Sequence, residues 1–139
     1  MQGCTIFDAG DAETLVKVEP VADSYVFTDT TTVSFNITNR STESIYYGGC
    51  DQQHIEVLLD RTIVDDFKTF SLCDCVCIET IEPGETVQFS YWLADLKQAD
   101  HEVETPRFYR IWPTFYNSNS LAGPIPRDLI DARQFLLDQ

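Results

Sequence analysis

Positive charge is scarce in this 139-residue chain, where nine Lys and Arg stand against 23 Asp and Glu for a net charge of −14. Such a chain repels phosphate backbones and anionic head groups, so no nucleic-acid partner is expected and a membrane is reached only through an attached lipid. Histidine is as sparse, with two residues in unlike contexts. There is no Gly-x-Ser-x-Gly elbow and no Gly-rich phosphate loop, so neither a nucleophilic triad nor nucleotide chemistry is indicated. No run approaches the roughly 18 apolar residues of a membrane-spanning helix. A calcium-type D-x-D-x-D-G loop is absent as well, and acids scattered from Asp8 through Asp60, Asp65 and Asp95 read as a solubilising surface. The expectation is a protein without a catalytic constellation, without a cofactor and without enzymatic activity.

What is present is strand pattern. Hydrophobic residues make up 43% of the chain, with nine Phe, six Tyr and two Trp, enough for one domain that buries about two-thirds of its unfolded surface. Period-two alternation dominates until the last dozen residues. Val16 and Val18, then Tyr25 and Phe27, predict one or two opening strands parted by Pro20. Residues 30–39 form the clearest strand, with Val33, Phe35 and Ile37 inward, followed by a turn at 39–43 whose side chains bond their own backbone. A short strand at 45–47 ends at Gly48 and Gly49. Ile55, Val57 and Leu59 point inward before a hairpin at 60–62 that leads into 63–67. Further strands are predicted at 73–80, at Val87, Phe89 and Tyr91 after a Pro83-Gly84 turn, and through the aromatic run 108–116. Residues 95–106 and 117–126 read as loops, and 128–139 reads as a closing strand rather than a helix. These features predict an all-β, immunoglobulin-like Greek-key sandwich of seven to eight strands over 13–139, behind an N-terminal leader at 1–12.

The segment Val33-Ser34-Phe35-Asn36-Ile37-Thr38-Asn39-Arg40-Ser41, the turn Ile81-Glu82-Pro83-Gly84-Glu85-Thr86 and the late Phe108-Tyr109-Arg110-Ile111 together resemble bacterial immunoglobulin-like domains. That set includes lipoprotein domains and the intracellular proteinase inhibitor family. The resemblance covers roughly residues 30–116 at the level of pattern and carries no catalytic residue. It implies, as a weaker alternative, a protease inhibitor that inserts an exposed loop such as 117–126 into a cleft. The cysteines depart from the inhibitor pattern.

Five cysteines carry the most specific signal. Gly3-Cys4 before a polar stretch resembles the start of a mature bacterial lipoprotein, which makes Cys4 a lipidation candidate. Cys50, Cys73, Cys75 and Cys77 then remain as an even set of disulfide candidates. Three thiols spaced by two on a strand share a face. The least strained pairing is Cys50 with Cys75 and Cys73 with Cys77, with Cys50 to Cys73 or Cys77 also open. The alternative reading makes the same four cysteines thiolate ligands for copper or zinc, although the usual C-x-x-C spacing is missing. His54-Ile55-Glu56 ahead of the cysteines fails the zinc deaminase pattern, because the second half lacks Pro and the two-residue gap. His54 therefore reads as a strand residue at a sheet edge, and His101 as a solvated side chain.

Asn36-Ile37-Thr38 and Asn39-Arg40-Ser41 match the N-glycosylation pattern, which bears only on a eukaryotic secretory source. Among the aromatics, alternation sends Tyr109 and Ile111 to one face and Phe108, Arg110 and Trp112 to the other. Trp92 and Trp112 are the candidates for a partner surface. The leading expectation is a non-enzymatic interaction or adhesion domain, secreted or displayed on a bacterial cell envelope and anchored there through Cys4.

Overall fold

Alternating strands bury one side each, so they are stable only when two such sides face each other. The chain meets that requirement with a β-sandwich. The computed structural model describes residues 14–48, 51–70, 77–99 and 103–139. One layer is the four-stranded sheet β11-β1-β3-β8, built from Ile130–Ala132, Val16–Pro20, Thr32–Asn39 and Thr86–Trp92. The opposite layer contains a five-stranded sheet, β2-β12-β9-β5-β6, of Ser24–Val26, Phe135–Asp138, Arg107–Pro113, Gln52–Leu59 and Thr62–Phe70. Three further short strands, β10 (Phe115–Tyr116), β4 (Ile45–Gly48) and β7 (Ile78–Ile81), form a separate ladder. Strands distant in sequence pair as neighbours, β3 with β8 and β5 with β9, which is Greek-key connectivity.

The twelve short strands among the described residues reduce to eight runs. β1 and β2 are one opening strand that changes layer after Pro20: β1 lies parallel to β11, and β2 lies parallel to β12. β11 and β12 divide in the same way. β4 and β5 form a second interrupted run, because β4 pairs with β10 while β5 pairs with β9. The aromatic run expected over 108–116 is broken between β9 and β10, where Thr114 turns its backbone N–H to Gln52 O at 3.1 Å. The closing segment is strand, as its Phe135 and Leu137 alternation indicated, and both side chains are fully buried.

The core is aromatic across the layers. Phe35 of β3 meets Phe135 of β12 at 5.9 Å between ring centroids, and Tyr47 of β4 meets Phe89 of β8 at 6.0 Å, both edge-on. Val33, Phe35 and Ile37 are all fully buried, as the strand pattern required. The turn into β8 has Gly84 at φ 79° and closes with Glu85 N donating to Glu82 O at 2.9 Å, the geometry for which Pro-Gly is suited.

Several local expectations are corrected. Cys77, placed within a strand over 73–80, lies just before β7, which runs Ile78–Ile81. Residues 73–76 lie outside the described residues. Leu59, expected inward, is exposed at the hairpin tip, while Leu58 is buried between Ile63 on one side and Phe108 on the other. The loop expected at 95–106 opens instead with a 3-10 turn, Leu93–Ala99, that buries Leu96 in the core.

Candidate functional site

Two constellations stand out on the surface of this sandwich, one on each layer. The first lies on the outward side of β5 and β9. In register, His54 stands opposite Trp112 and Glu56 opposite Arg110, while Lys68 and Asp66 of β6 extend the same two rows. Arg127, from the 3-10 turn Arg127–Leu129, closes over them. Its Nε donates to Glu56 Oε2 at 2.8 Å, its Nη2 to Glu56 Oε1 at 3.1 Å and its Nη1 to Ile130 O at 2.7 Å. Arg110 Nη1 adds a donation to Glu56 Oε1 at 3.0 Å. The Arg127 guanidinium lies 4.6 Å from the Trp112 ring centroid, and the His54 ring stacks on the same indole at 5.4 Å. A cavity of about 270 Å³ borders the cluster, lined by His54, Glu56, Asp66, Lys68, Trp112 and Arg127 among others.

The chemistry of this cluster is that of a clasp. Burial pushes the Glu56 carboxyl up, but hydrogen bonds and charge from Arg127 and Arg110 outweigh it and hold the group below the usual carboxylate range. A carboxylate so held is no proton donor near neutrality. Thr114 Oγ1 spends its proton on Gln52 O at 3.0 Å, so His54 Nε2 is the donor in the 2.8 Å contact to Thr114 Oγ1. Burial, then the Lys68 charge, pushes the imidazole down, so it is neutral at pH 7. Both oxygens of Glu56 are occupied, and His54 is turned onto a structural hydroxyl. The arrangement locks the 127–129 turn to the sheet and leaves Glu56 without a free oxygen.

The second constellation is the outward side of β3 and β8. The two strands pair without a register shift from Thr32 opposite Trp92 to Thr38 opposite Thr86. Because Val33, Phe35, Ile37, Phe89 and Tyr91 take the buried side, the other side presents four rungs: Thr32 with Trp92, Ser34 with Ser90, Asn36 with Gln88, and Thr38 with Thr86. None of the eight is charged. Thr38 and Thr86 hydroxyls bond each other at 2.9 Å and those of Ser34 and Ser90 approach to 3.5 Å, while Asn36 and Gln88 are exposed. Trp92 at the end of the array is 52% exposed. Four rungs at strand spacing span about 20 Å.

The predicted site residues divide accordingly. Trp92 is open to solvent, whereas Trp112, expected to share a partner surface with it, is 3% exposed beneath Arg127 and His54. Its outward position in the alternation was right; its cover comes from a turn fifteen residues on. His54 is not at a sheet edge, since β5 is paired on both sides. Cys77 is bonded in a disulfide, which removes its sulfur from the thiolate set. Cys4, Cys50, Cys73, Cys75 and His101, with the 1–12 leader, lie outside the described residues. Of the two glycosylation patterns, Asn36 is exposed, but Asn39 is fully buried and donates its amide hydrogens to Glu43 O and Ile81 O, each at 2.8 Å. Loop 117–126 is tied back at its end, where Ile125 N donates to Phe115 O at 2.8 Å. Sequence reasoning missed Arg127, for which no local signal exists, and weighed Glu56 only within His54-Ile55-Glu56. It also passed over the uncharged face, although the residues of 32–38 and 86–92 spell it out at every second position.

No family model matches the chain, and no curated protein matches it. Solved structures follow a similar chain course. They include the alkylpurine DNA glycosylase AlkC of Pseudomonas fluorescens bound to DNA containing an abasic site analog, at 9% identity and TM-score 0.45 over 94% of this chain and 32% of that one. A β-glucosidase of Listeria innocua in complex with laminaribiose is similar at 16% identity and TM-score 0.37, over 89% of this chain and 16% of that one. The ASH/PapD-like domain 7 of human CEP192 is similar at 10% identity and TM-score 0.35, over 90% of this chain and 83% of that domain. The chain thus spans about a third or less of the two enzymes. Likenesses of this degree transfer no activity. The class that the fold defines is the all-β, Greek-key β-sandwich.

Proposed function

We propose that this chain is a non-enzymatic, extracytoplasmic interaction domain, secreted or held at a cell envelope, and that it binds its partner through the outward side of β3 and β8 around Trp92. The carrying observation is the 52% exposure of a tryptophan at the end of four uncharged cross-strand rungs in a chain of net charge −14. Large aromatic side chains left in water mark contact surfaces, because their burial on binding releases much apolar area at small entropic cost. The disulfide at Cys77 supports the extracytoplasmic setting, since reducing compartments keep thiols free. Saturation of Glu56 by Arg110 and Arg127 takes that carboxylate out of proton transfer, in keeping with a binding rather than a catalytic role.

Sedimentation of labelled protein with cell-envelope material from the source organism tests this reading. The expected outcome is saturable binding that Trp92→Ala lowers by about tenfold or more, the size of a contact hot spot. Binding indifferent to Trp92→Ala removes the basis of the proposal.

A further inference from the structure

We infer that the partner of the Trp92 face is a neutral polyhydroxylated polymer, that is, an uncharged polysaccharide or glycan chain; this rests on the interaction reading above and names the partner of that same surface. The first argument is charge. Acids outnumber cations by 23 to 9 across the chain, yet the four rungs from Thr32 and Trp92 to Thr38 and Thr86 hold no ionisable group, and the charges that continue two of their rows on β1, Glu19 beside Asn36 and Lys17 beside Thr38, pair with each other at 3.4 Å. A cationic protein partner would leave such a face unmatched and would be drawn to the acidic remainder, and an anionic one would be repelled by it. A neutral partner suffers neither effect.

The second argument is hydrogen-bond type. Amides and hydroxyls such as those of Asn36, Gln88 and Ser90 each offer both donors and acceptors, which matches a ligand whose surface is hydroxyl throughout. The third is shape. Seven consecutive pairs without a register shift make a two-strand platform about 20 Å long, suited to several rings of a linear chain rather than to one small molecule. Trp92 completes the match, because its exposed indole supplies an apolar plate on which the C–H face of a sugar ring stacks while its hydroxyls reach the adjacent rung.

Affinity electrophoresis of the full chain tests the assignment. Native gels carry hydroxyethyl cellulose, xyloglucan, glucomannan, galactomannan or dextran, one gel carries polygalacturonate as an anionic control, and cellulose and chitin are tested by co-sedimentation. Binding by at least one neutral polymer is expected, insensitive to added salt, and weakened about tenfold or more by Trp92→Ala. Asn36→Asp, an exposed near-isosteric change that puts charge on the platform, should weaken the same binding in a protein with unchanged circular dichroism. No binding to any neutral polymer overturns the assignment, as does binding that survives Trp92→Ala or that is confined to the anionic control. If the polymers fail while envelope binding still depends on Trp92, the partner is a protein and only this inference falls; if neither depends on Trp92, both readings fall.

Discussion

Asn39 is the side chain whose loss the fold should tolerate least. Its amide is fully buried and makes four hydrogen bonds: two donations to Glu43 O and Ile81 O, and two acceptances from Ser41 N at 2.9 Å and Ser41 Oγ at 2.8 Å. Asn39→Ala leaves the buried Ile81 O without its donor and breaks three part-buried bonds besides, so we expect a loss of about 3 kcal/mol in denaturant unfolding, a few times the cost of one ordinary hydrogen bond. Glu56 governs a different property, the response to acid. Its folded pKa is depressed, so its contribution is complete above the ordinary carboxylate value and disappears as pH falls through the lower folded one. His54 acts in the same direction: its folded pKa is lowered, the unfolded chain takes up a proton first, and stability declines once pH drops below about 6.5. Unfolding measured from pH 8 to pH 3 should therefore decline in two stages, and Glu56→Gln should remove the later one. At pH 7 that substitution should cost about 2 kcal/mol, less than a fully buried pair because Arg127 remains 42% exposed at its side chain. Asn39 was legible in sequence because its turn is local. Glu56 was not, because its partners are distant in sequence: strand register brings Arg110 to it, and the docking of the 127–129 turn brings Arg127.

Among the elements, the hairpin between β5 and β6 carries a specific strain. Leu59 pairs with Thr62 around Asp60 at φ 51° and Arg61 at φ 67°, a two-residue turn that asks for positive φ at both positions. Asp tolerates that region, but Arg has no side chain suited to it, and Arg61 makes no ion pair among the described residues. Arg61→Gly should raise stability by about 0.5 kcal/mol, the relief of left-handed strain less the added freedom of glycine in the unfolded chain; a lowered midpoint in urea would contradict this. Strand existence was readable from alternation at β3, β8 and the closing segment, since a period of two survives whatever the strand packs against. Strand boundaries were less so. The change of layer after Pro20, the break at Thr114 and the burial of Leu58 all depend on which strand lies alongside, which alternation within one strand does not encode.

For the whole molecule, function is argued from the uncharged rungs of β3 and β8 and the exposed Trp92 at their end. The sandwich itself was legible, as was the exposure of Trp92; the burial of Trp112 was not, because its cover arrives from a turn that docks across the sheet. The disulfide at Cys77 adds a covalent constraint. Peptide mapping without reductant should recover Cys77 in a cystine, and reduction should lower stability by about 3 kcal/mol, the usual value for a native bridge in a small domain. A free thiol at Cys77, or a soft metal bound near one per chain, would oppose the extracytoplasmic reading. The central claim, that the partner is bound over Trp92, is tested most directly by acrylamide quenching of tryptophan fluorescence. The free protein should show one readily quenched indole that Trp92→Phe abolishes and one shielded indole belonging to Trp112. Saturation with envelope material or a bound polysaccharide should then shield the first as well. An indole at Trp92 that stays equally quenchable in the bound state would contradict the account.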